Sequence, residues 1–329
     1  MKVLLFEKSG IENLKYTDVK DEEPETHQVK IRVLSAGVNP IDYFVVNGIP
    51  VRPLPHIPGA EIYGEVEKTG DSVRNFSRGD KVVVYNRVFD GSCDMCLQSS
   101  ENLCRNGGII SVITNGGYSE FFIVDEKNLI KVSGISEEIA ASLPVAALTA
   151  YHGLRTAGLR AGETLVVFGA SGNTGQFAVQ LGKIMGAQVI AVSKKGWVKE
   201  LGADLVTDLS NVKDVVSKVT EGKMADVVVD PLGEKTWLNS LEVVGVKGRW
   251  VTFGTLTGSN VSVQLNTIYS KHISLFGTTG GNRKELQELT SLSRKMKVKV
   301  GKVFSLEEGK EALKYLMAGD RDGRAIIKV

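Results

Sequence analysis

Three cysteines and one carboxylate stand close together in the order Asp90, Cys93, Cys96 and Cys104, a D-x2-C-x2-C-x7-C spacing. Three thiolates and a carboxylate can fill the tetrahedral shell of a zinc ion and leave no position open. A closed shell holds structure and does not perform catalysis. Three free thiols on a loop, or a site that has lost its metal, are the competing readings. The chain has no other cysteine, and an odd number so tightly spaced is a poor disulfide framework. None of the four histidines (His27, His56, His152, His272) stands at a metal-ligand spacing from another.

The second chemical signal is a run of glycines at Gly169, Gly172 and Gly175 inside Leu165–Leu181. A β-type run precedes it and an amphipathic helical pattern follows, which is the context a dinucleotide fingerprint needs. Glycine permits the tight turn and lets the backbone approach a pyrophosphate. The free N–H groups at Asn173, Thr174 and Gly175, with the positive end of the helix, meet its negative charge. The competing reading is a glycine turn that only packs helix against strand. A free ribose 2′-hydroxyl is read by Asp or Glu at the end of the second strand. Here Val189–Val192 runs into Ser193, Lys194 and Lys195. One hydroxyl and two cations suit a 2′-phosphate, so NADP is expected over NAD; two solvated surface lysines are the alternative.

These residues need two different scaffolds. Residues 1–135 read as short strands (Val29–Val33, Lys81–Tyr85, Glu120–Val124) punctuated by Gly and Pro. From Ser136 the pattern changes. A capped helix start at Ser136–Leu143 leads into alternating strands and helices: Thr164–Phe168, Thr174–Met185, Val189–Val192, Asp226–Asp230, Trp237–Val244 and Arg249–Phe253. Such alternation means a parallel sheet with helices on both faces. After residue 277 come helices over Arg283–Lys295 and Leu306–Met317 and a last strand, Arg324–Val329, expected to pair back with the first domain. The expectation is therefore a mostly β domain (1–135 and 278–329) with an inserted α/β, doubly wound cofactor domain (136–277).

With 329 residues, two domains are expected. Apolar residues at 42% and charged residues at 24% describe a globular chain, not a disordered one. Forty Lys and Arg against 38 Asp and Glu leave a net charge of +2, no electrostatic footprint for nucleic acid or an anionic membrane. No apolar run reaches the ~18–20 residues of a membrane span, and the apolar stretch at Val3–Phe6 falls short of the ~7–15 of a secretory signal. A cytoplasmic protein acting on a small molecule is expected.

Taken together, these segments resemble the medium-chain dehydrogenase/reductase family over nearly the whole length. Cys93, Cys96 and Cys104 match the last three cysteines of that family's zinc lobe, with Asp90 at the first. Leu143–Tyr151 and Gly323–Val329 resemble its cofactor-domain entry and its C-terminal end. The resemblance implies a GroES-like β domain with an inserted Rossmann domain, one structural zinc per chain and a homodimer formed through the strand around Ser270–Phe276. Zinc alcohol dehydrogenases carry G-V-C-x-T-D and then G-H-E. This chain has Gly37-Val38-Asn39-Pro40-Ile41-Asp42 and Gly59-Ala60-Glu61, so both defining metal ligands are replaced. That pattern is similar to the quinone oxidoreductase branch, which implies NADPH-dependent hydride transfer to quinones or α,β-unsaturated carbonyl compounds without catalytic metal. On this resemblance Asn39 and Asp42 would face the cleft, Asn39 polarising the substrate carbonyl, and the final proton would come from Tyr43 or solvent; a turn Asn before Pro40, a local backbone cap at Asp42 and a core-filling Tyr43 are the competing readings. Thr149, Phe253, Gly254 and Thr255 match segments around the nicotinamide, and Arg324 would either reach the cofactor or be a surface arginine of the last strand. Pro50 stands where several metal-free relatives have a tyrosine, which disfavours an enoyl-thioester substrate. An alcohol or aldehyde dehydrogenase, and a non-enzymatic NADPH-binding protein, are the alternatives.

Overall fold

The structure is a computed structural model and describes residues 1–329. It divides into two compact units, Met1–Val145 with Asn282–Val329, and Ala146–Gly281. The joints therefore fall at 145/146 and 281/282, not at the expected 135/136 and 277/278. The reason for the first shift is local. Glu137–Ala140 is helical and contacts the central strand of the first unit, and the Val145 N–H donates to the buried Glu61 carboxylate at 2.7 Å. The segment 136–145 is thereby tied to the β domain.

In the first unit β1 (Lys2–Leu5) and β2 (Lys15–Asp18) form a small antiparallel sheet. They are followed by β3 (Gln28–Gly37), α1 (Pro40–Asn47), β4 (Glu61–Thr69), β5 (Lys81–Val84) and β6 (Arg87–Val88). Next come α2 (Asp94–Leu97), β7 (Gly108–Ile109), β8 (Phe121–Asp125), β9 (Leu129–Lys131) and α3 (Glu137–Ala140). The second unit holds α4 (Leu148–Thr156), β10 (Thr164–Phe168), α5 (Gly175–Ile184), β11 (Gln188–Val192), β12 (Leu205–Thr207) and α6 (Val212–Val219). It continues with β13 (Ala225–Val229), α7 (Trp237–Val243), β14 (Val244–Thr252), α8 (Leu265–Lys271) and β15 (Ser274–Gly277). The chain then returns to the first unit with α9 (Arg283–Leu292), β16 (Val300–Ser305), α10 (Gly309–Met317) and β17 (Arg324–Lys328).

In the first unit a seven-stranded sheet follows the path β16-β17-β3-β4-β5-β9, with β8, off this path, as the seventh strand on β3. β17 pairs antiparallel with β3, Ile326 opposite Gly37, so the C-terminal strand does close on the N-terminal part of the chain. Alternation along β3 buries Val29, Ile31 and Val33 against Ile62, Val66, Val82 and Phe122. The second unit is a six-stranded parallel sheet in the order β12-β11-β10-β13-β14-β15. This is the doubly wound order, with its topological switch point between β10 and β13. β10 is buried along its whole length, as a central parallel strand covered on both faces must be.

Candidate cofactor and metal sites

In the second unit the glycine run follows β10 at the switch point, where doubly wound sheets bind their ligands. Gly169 has φ +59, a left-handed conformation that favours glycine. The Gly172 N–H closes the turn on the Gly169 carbonyl at 2.8 Å. A Cβ on Gly175 would lie 2.1 Å from that same carbonyl oxygen, so α5 can start this close to β10 only with glycine there. Thr174, the N-cap, gives no side-chain bond to the first turn. The Gln176 N–H closes on Gly172 O and the Phe177 and Ala178 N–H groups on Thr174 O, which leaves the Thr174 and Gly175 N–H groups for an external acceptor, and the end of a ten-residue helix favours an anion. The cradle fits a dinucleotide pyrophosphate.

The carboxyl ends of β11 and β12 form an open groove of about 1090 Å³. Ser193 and Lys194 line it, while Lys195 does not. The Ser193 N–H donates to Thr207 O at 2.8 Å, and its Oγ accepts from the Lys195 N–H at 3.0 Å. The opposite wall is Thr207, Asp208, Ser210 and Asn211. Sequence reasoning passed over this wall because β12 is only three residues long. The Asp-x-Ser-Asn helix-cap pattern before α6 was the available signal. Elsewhere in this unit Thr149 is half-buried on α4, one turn before Gly153. A Cβ on Gly153 would lie 3.2 Å from the Phe253 ring. Thr252 Oγ1 donates to Gly254 O at 3.0 Å, and Thr255 O accepts from the Gly258 N–H. Thr149 and the 253–255 turn therefore sit in one unit, the turn at the carboxyl end of β14.

In the first unit Asp90, Cys93, Cys96 and Cys104 converge, and their ligand atoms all lie within 4.8 Å of one another. Sulfur–sulfur distances are 3.6 Å for Cys93–Cys96 and 3.8 Å for Cys93–Cys104. A tetrahedron with Zn–S bonds of about 2.3 Å has edges of about 3.8 Å, so the donor set fits zinc. Asp90 is oriented by its surroundings. Its Oδ1 accepts the N–H groups of Ser92 (2.7 Å) and Cys93 (2.9 Å), and its Oδ2 accepts Asn106 Nδ2 at 2.6 Å. The Cys93 N–H above all holds its carboxyl well below the usual range. Arg105 clamps the lobe with a bidentate pair to Asp94 at 2.6 and 2.7 Å.

The three expected catalytic residues lie on or beside α1. Asn39 is the N-cap and only 2% exposed. Its Nδ2 donates to Glu61 Oε2 at 2.8 Å and lies 3.4 Å from Gly37 O. Its amide is thereby engaged within the first unit. Asp42 is fully buried and is a structural acceptor. Its Oδ2 takes the Asn39 N–H (2.8 Å) and the Tyr118 hydroxyl (3.0 Å), and its Oδ1 takes the Ala60 N–H at 2.8 Å. Burial pushes its pKa up to about 7 against these donors. Tyr43 is half-buried, edge-to-face with Phe44, and its hydroxyl makes no hydrogen bond. Arg324 is fully buried in the first unit, and its Nη2 donates to Glu61 Oε2 at 2.5 Å. The residues at the positions of the family's catalytic metal thus form a polar network of Asn39, Glu61 and Arg324, with Ala60 contributing only a methyl and an N–H. The lobe is the only group of three or more His, Cys, Asp or Glu residues whose donor atoms converge; a catalytic zinc does not fit at residues 39, 60 and 61. His56, buried, puts its ring nitrogens 3.1 Å from Pro53 O and 3.0 Å from Ser111 O and is not a ligand.

Residues 25–134 match the alcohol dehydrogenase GroES-like domain family, and residues 173–295 match the zinc-binding dehydrogenase family. The chain is 34% identical to an NAD-dependent alcohol dehydrogenase of Sulfolobus acidocaldarius, over 100% of both chains. It is 30% identical to an acryloyl-coenzyme A reductase of Sulfurisphaera tokodaii, over 95% of this chain and 96% of that one. Among solved structures it is similar to a cobalt- and zinc-bound thermostable alcohol dehydrogenase from Pyrobaculum aerophilum, with a TM-score of 0.94, 38% identity and coverage of 100% and 99%. No helix is long and apolar enough to cross a membrane. The chain is an oxidoreductase of the medium-chain dehydrogenase/reductase family, built as a GroES-like domain with an inserted Rossmann domain.

Proposed function

We propose that the chain reduces quinones or α,β-unsaturated carbonyl compounds with NADPH and without a metal at the reacting centre. The observation that carries this reading is the buried Asn39–Glu61–Arg324 network at the positions where metal-dependent relatives hold their zinc. When bound, the dihydronicotinamide supplies the hydride. The chain's own residues hold and orient it. The N–H groups at the start of α5 hold the pyrophosphate, Ser193 and Lys194 face the 2′-phosphate, and Thr149 with Phe253–Thr255 borders the nicotinamide end. Tyr43, whose hydroxyl is unpartnered, is the residue of the first unit best able to hold the proton that completes the reduction. A relative named for acryloyl-coenzyme A supports an activated alkene as substrate. The lobe holds one structural zinc per chain, and a second copy pairs along β15, the outer strand of the parallel sheet.

The relatives named as alcohol dehydrogenases favour a second reading, an alcohol or aldehyde oxidoreductase. One experiment separates the two. NADPH and NADH oxidation is followed with quinones, small enones, an enoyl thioester and aldehydes, with the metal content of the same sample. Enone or quinone turnover with at most one zinc per chain is expected. Turnover confined to aldehydes and lost with chelator, or two zinc ions per chain, overturns the proposal.

A further inference from the structure

The groove beyond β11 and β12 presents opposite charges from two strands, Lys194 after β11 and Asp208 after β12. They are held in register by the parallel pairing of Val192 with Thr207 and by the Ser193 N–H on Thr207 O. Asp208 divides its carboxylate between two tasks. Its Oδ1 accepts the N–H groups of Ser210 and Asn211 (both 3.0 Å), the Ser210 hydroxyl (2.7 Å) and Asn211 Nδ2 (2.9 Å), which fixes the turn before α6. Its Oδ2 accepts no hydrogen bond, and the residue lines the groove. The Ser210 hydroxyl, first among these donors, holds the carboxyl below its usual range, so it is an anion at neutral pH.

Doubly wound sheets that prefer a free ribose 2′-hydroxyl place a carboxylate at the end of the second strand. This chain has none there, but the third strand delivers one to the same groove. We propose that Asp208 is a specificity residue for the cofactor: its free Oδ2 accepts the ribose 2′-hydroxyl of NADH and opposes the 2′-phosphate that Lys194 attracts, so that the chain takes both dinucleotides with only a modest preference. The inference rests on the reading that this groove receives the adenosine ribose.

The test is direct binding, with NADPH and NADH titrated against the full chain and followed by nicotinamide fluorescence. Asp208→Asn keeps an oxygen for the four local donors, so the turn is retained, and it replaces the free oxygen by an N–H donor. Asp208→Ser, which keeps a capping hydroxyl, is the second variant. Wild type is expected to bind both dinucleotides with Kd values within about tenfold, a difference of about 1.4 kcal/mol or less. Both variants should tighten NADPH about tenfold and weaken NADH several-fold, and the gain for NADPH should persist when turnover is blocked by omitting substrate. A Kd ratio unchanged within twofold in both folded variants overturns the role of Asp208 and leaves the cofactor site standing. Wild type that binds neither dinucleotide overturns the site and the inference together.

Discussion

Glu61 and Arg324 are both fully buried, and each is the other's charge partner. Separating such a pair leaves an uncompensated buried charge, at a cost of about 3–5 kcal/mol. Glu61→Gln should therefore lower the unfolding free energy by that order. Adding Arg324→Met should restore part of it, since the two losses are not additive for residues in contact. Denaturant unfolding of both single variants and the double variant checks this, and additive losses would sink it. Asp42 makes a different prediction. Burial raises its pKa from 3.8 to about 7 in the folded chain. Below the unfolded value both states carry the proton, and the group's contribution to stability is fully present. As pH climbs toward 7 the unfolded chain releases the proton and the folded chain keeps it, so that contribution is lost, by up to about 4 kcal/mol at ~1.4 kcal/mol per unit. The stability advantage of wild type over Asp42→Asn should shrink from pH ~4 to ~7 and be level above; parallel curves would show that Asp42 does not titrate in this window. At this scale the sequence is readable in type and not in role. An Asn-Pro-x-Asp string announces hydrogen-bonding groups, but whether they face a substrate or the interior depends on partners 22 and 285 positions away, Glu61 and Arg324. Nothing local encodes that.

Elements differ in how much of their origin is local. β10 and α5 are read almost to the residue, because the uninterrupted apolar run Leu165–Phe168 followed by a glycine turn and an amphipathic pattern admits one interpretation. α1 is not legible in this way. Its Tyr-Phe-Val-Val stretch favours a strand, and what makes it helical is the start: Asn39 at N-cap, Pro40 at N1, and Asp42 at N3 reaching back to the Asn39 N–H. Short edge strands such as β12 and β16 escape for a related reason: a few residues carry too little periodicity. The glycine turn allows a clean test of its own geometry. Gly175→Ala brings a Cβ against Gly169 O, which must push α5 from β10 and misdirect its first N–H groups. NADPH binding should weaken by more than tenfold while far-UV circular dichroism is retained; unchanged binding would mean that the pyrophosphate is held elsewhere. The lobe is the opposite case, an element with little packing of its own. None of the residues of α2 is buried, and Leu97 and Leu103 are mostly exposed. Its order must come from the metal donors and the Arg105–Asp94 clamp. Stripping the metal with a chelator should speed amide exchange across residues 90–106 and leave β10–β14 protected. Equal protection before and after would argue that the lobe is held without zinc.

For the molecule as a whole, the chain order carries the design. The parallel-sheet unit lies inside a β unit whose last strand, β17, is hydrogen-bonded to β3 near its beginning. The alternation of strand and helix after residue 160 makes the insertion legible, and the fully apolar Ala325-Ile326-Ile327 makes the return strand legible. The joints are less so, because segment 136–145 is helical like much of the second unit and yet is bonded to the first, through Glu61. What such a molecule cannot hide is the free side of its parallel sheet. β15 pairs with β14 on one side only, and an unpaired strand edge is a template for another chain unless it is blunted. This edge is not blunted. β15 reads Ser-Leu-Phe-Gly with no charge, Leu275 is 41% exposed, and Leu265 and Tyr269 on the preceding α8 are about 70% exposed. Apolar side chains so placed beside open N–H and C=O groups suit a two-fold pairing of β15 with its own copy, which would extend the sheet across both subunits. Sedimentation velocity should then show a dimer for wild type. Leu275→Lys sets a like charge on each side of the axis and should shift the protein to monomer, with NADPH affinity changed by no more than a few-fold because the glycine turn and the β11–β12 groove are at other strands. A wild-type monomer, or a dimer indifferent to Leu275→Lys, would place the assembly surface elsewhere and leave β15 an exposed edge whose apolar face needs another explanation.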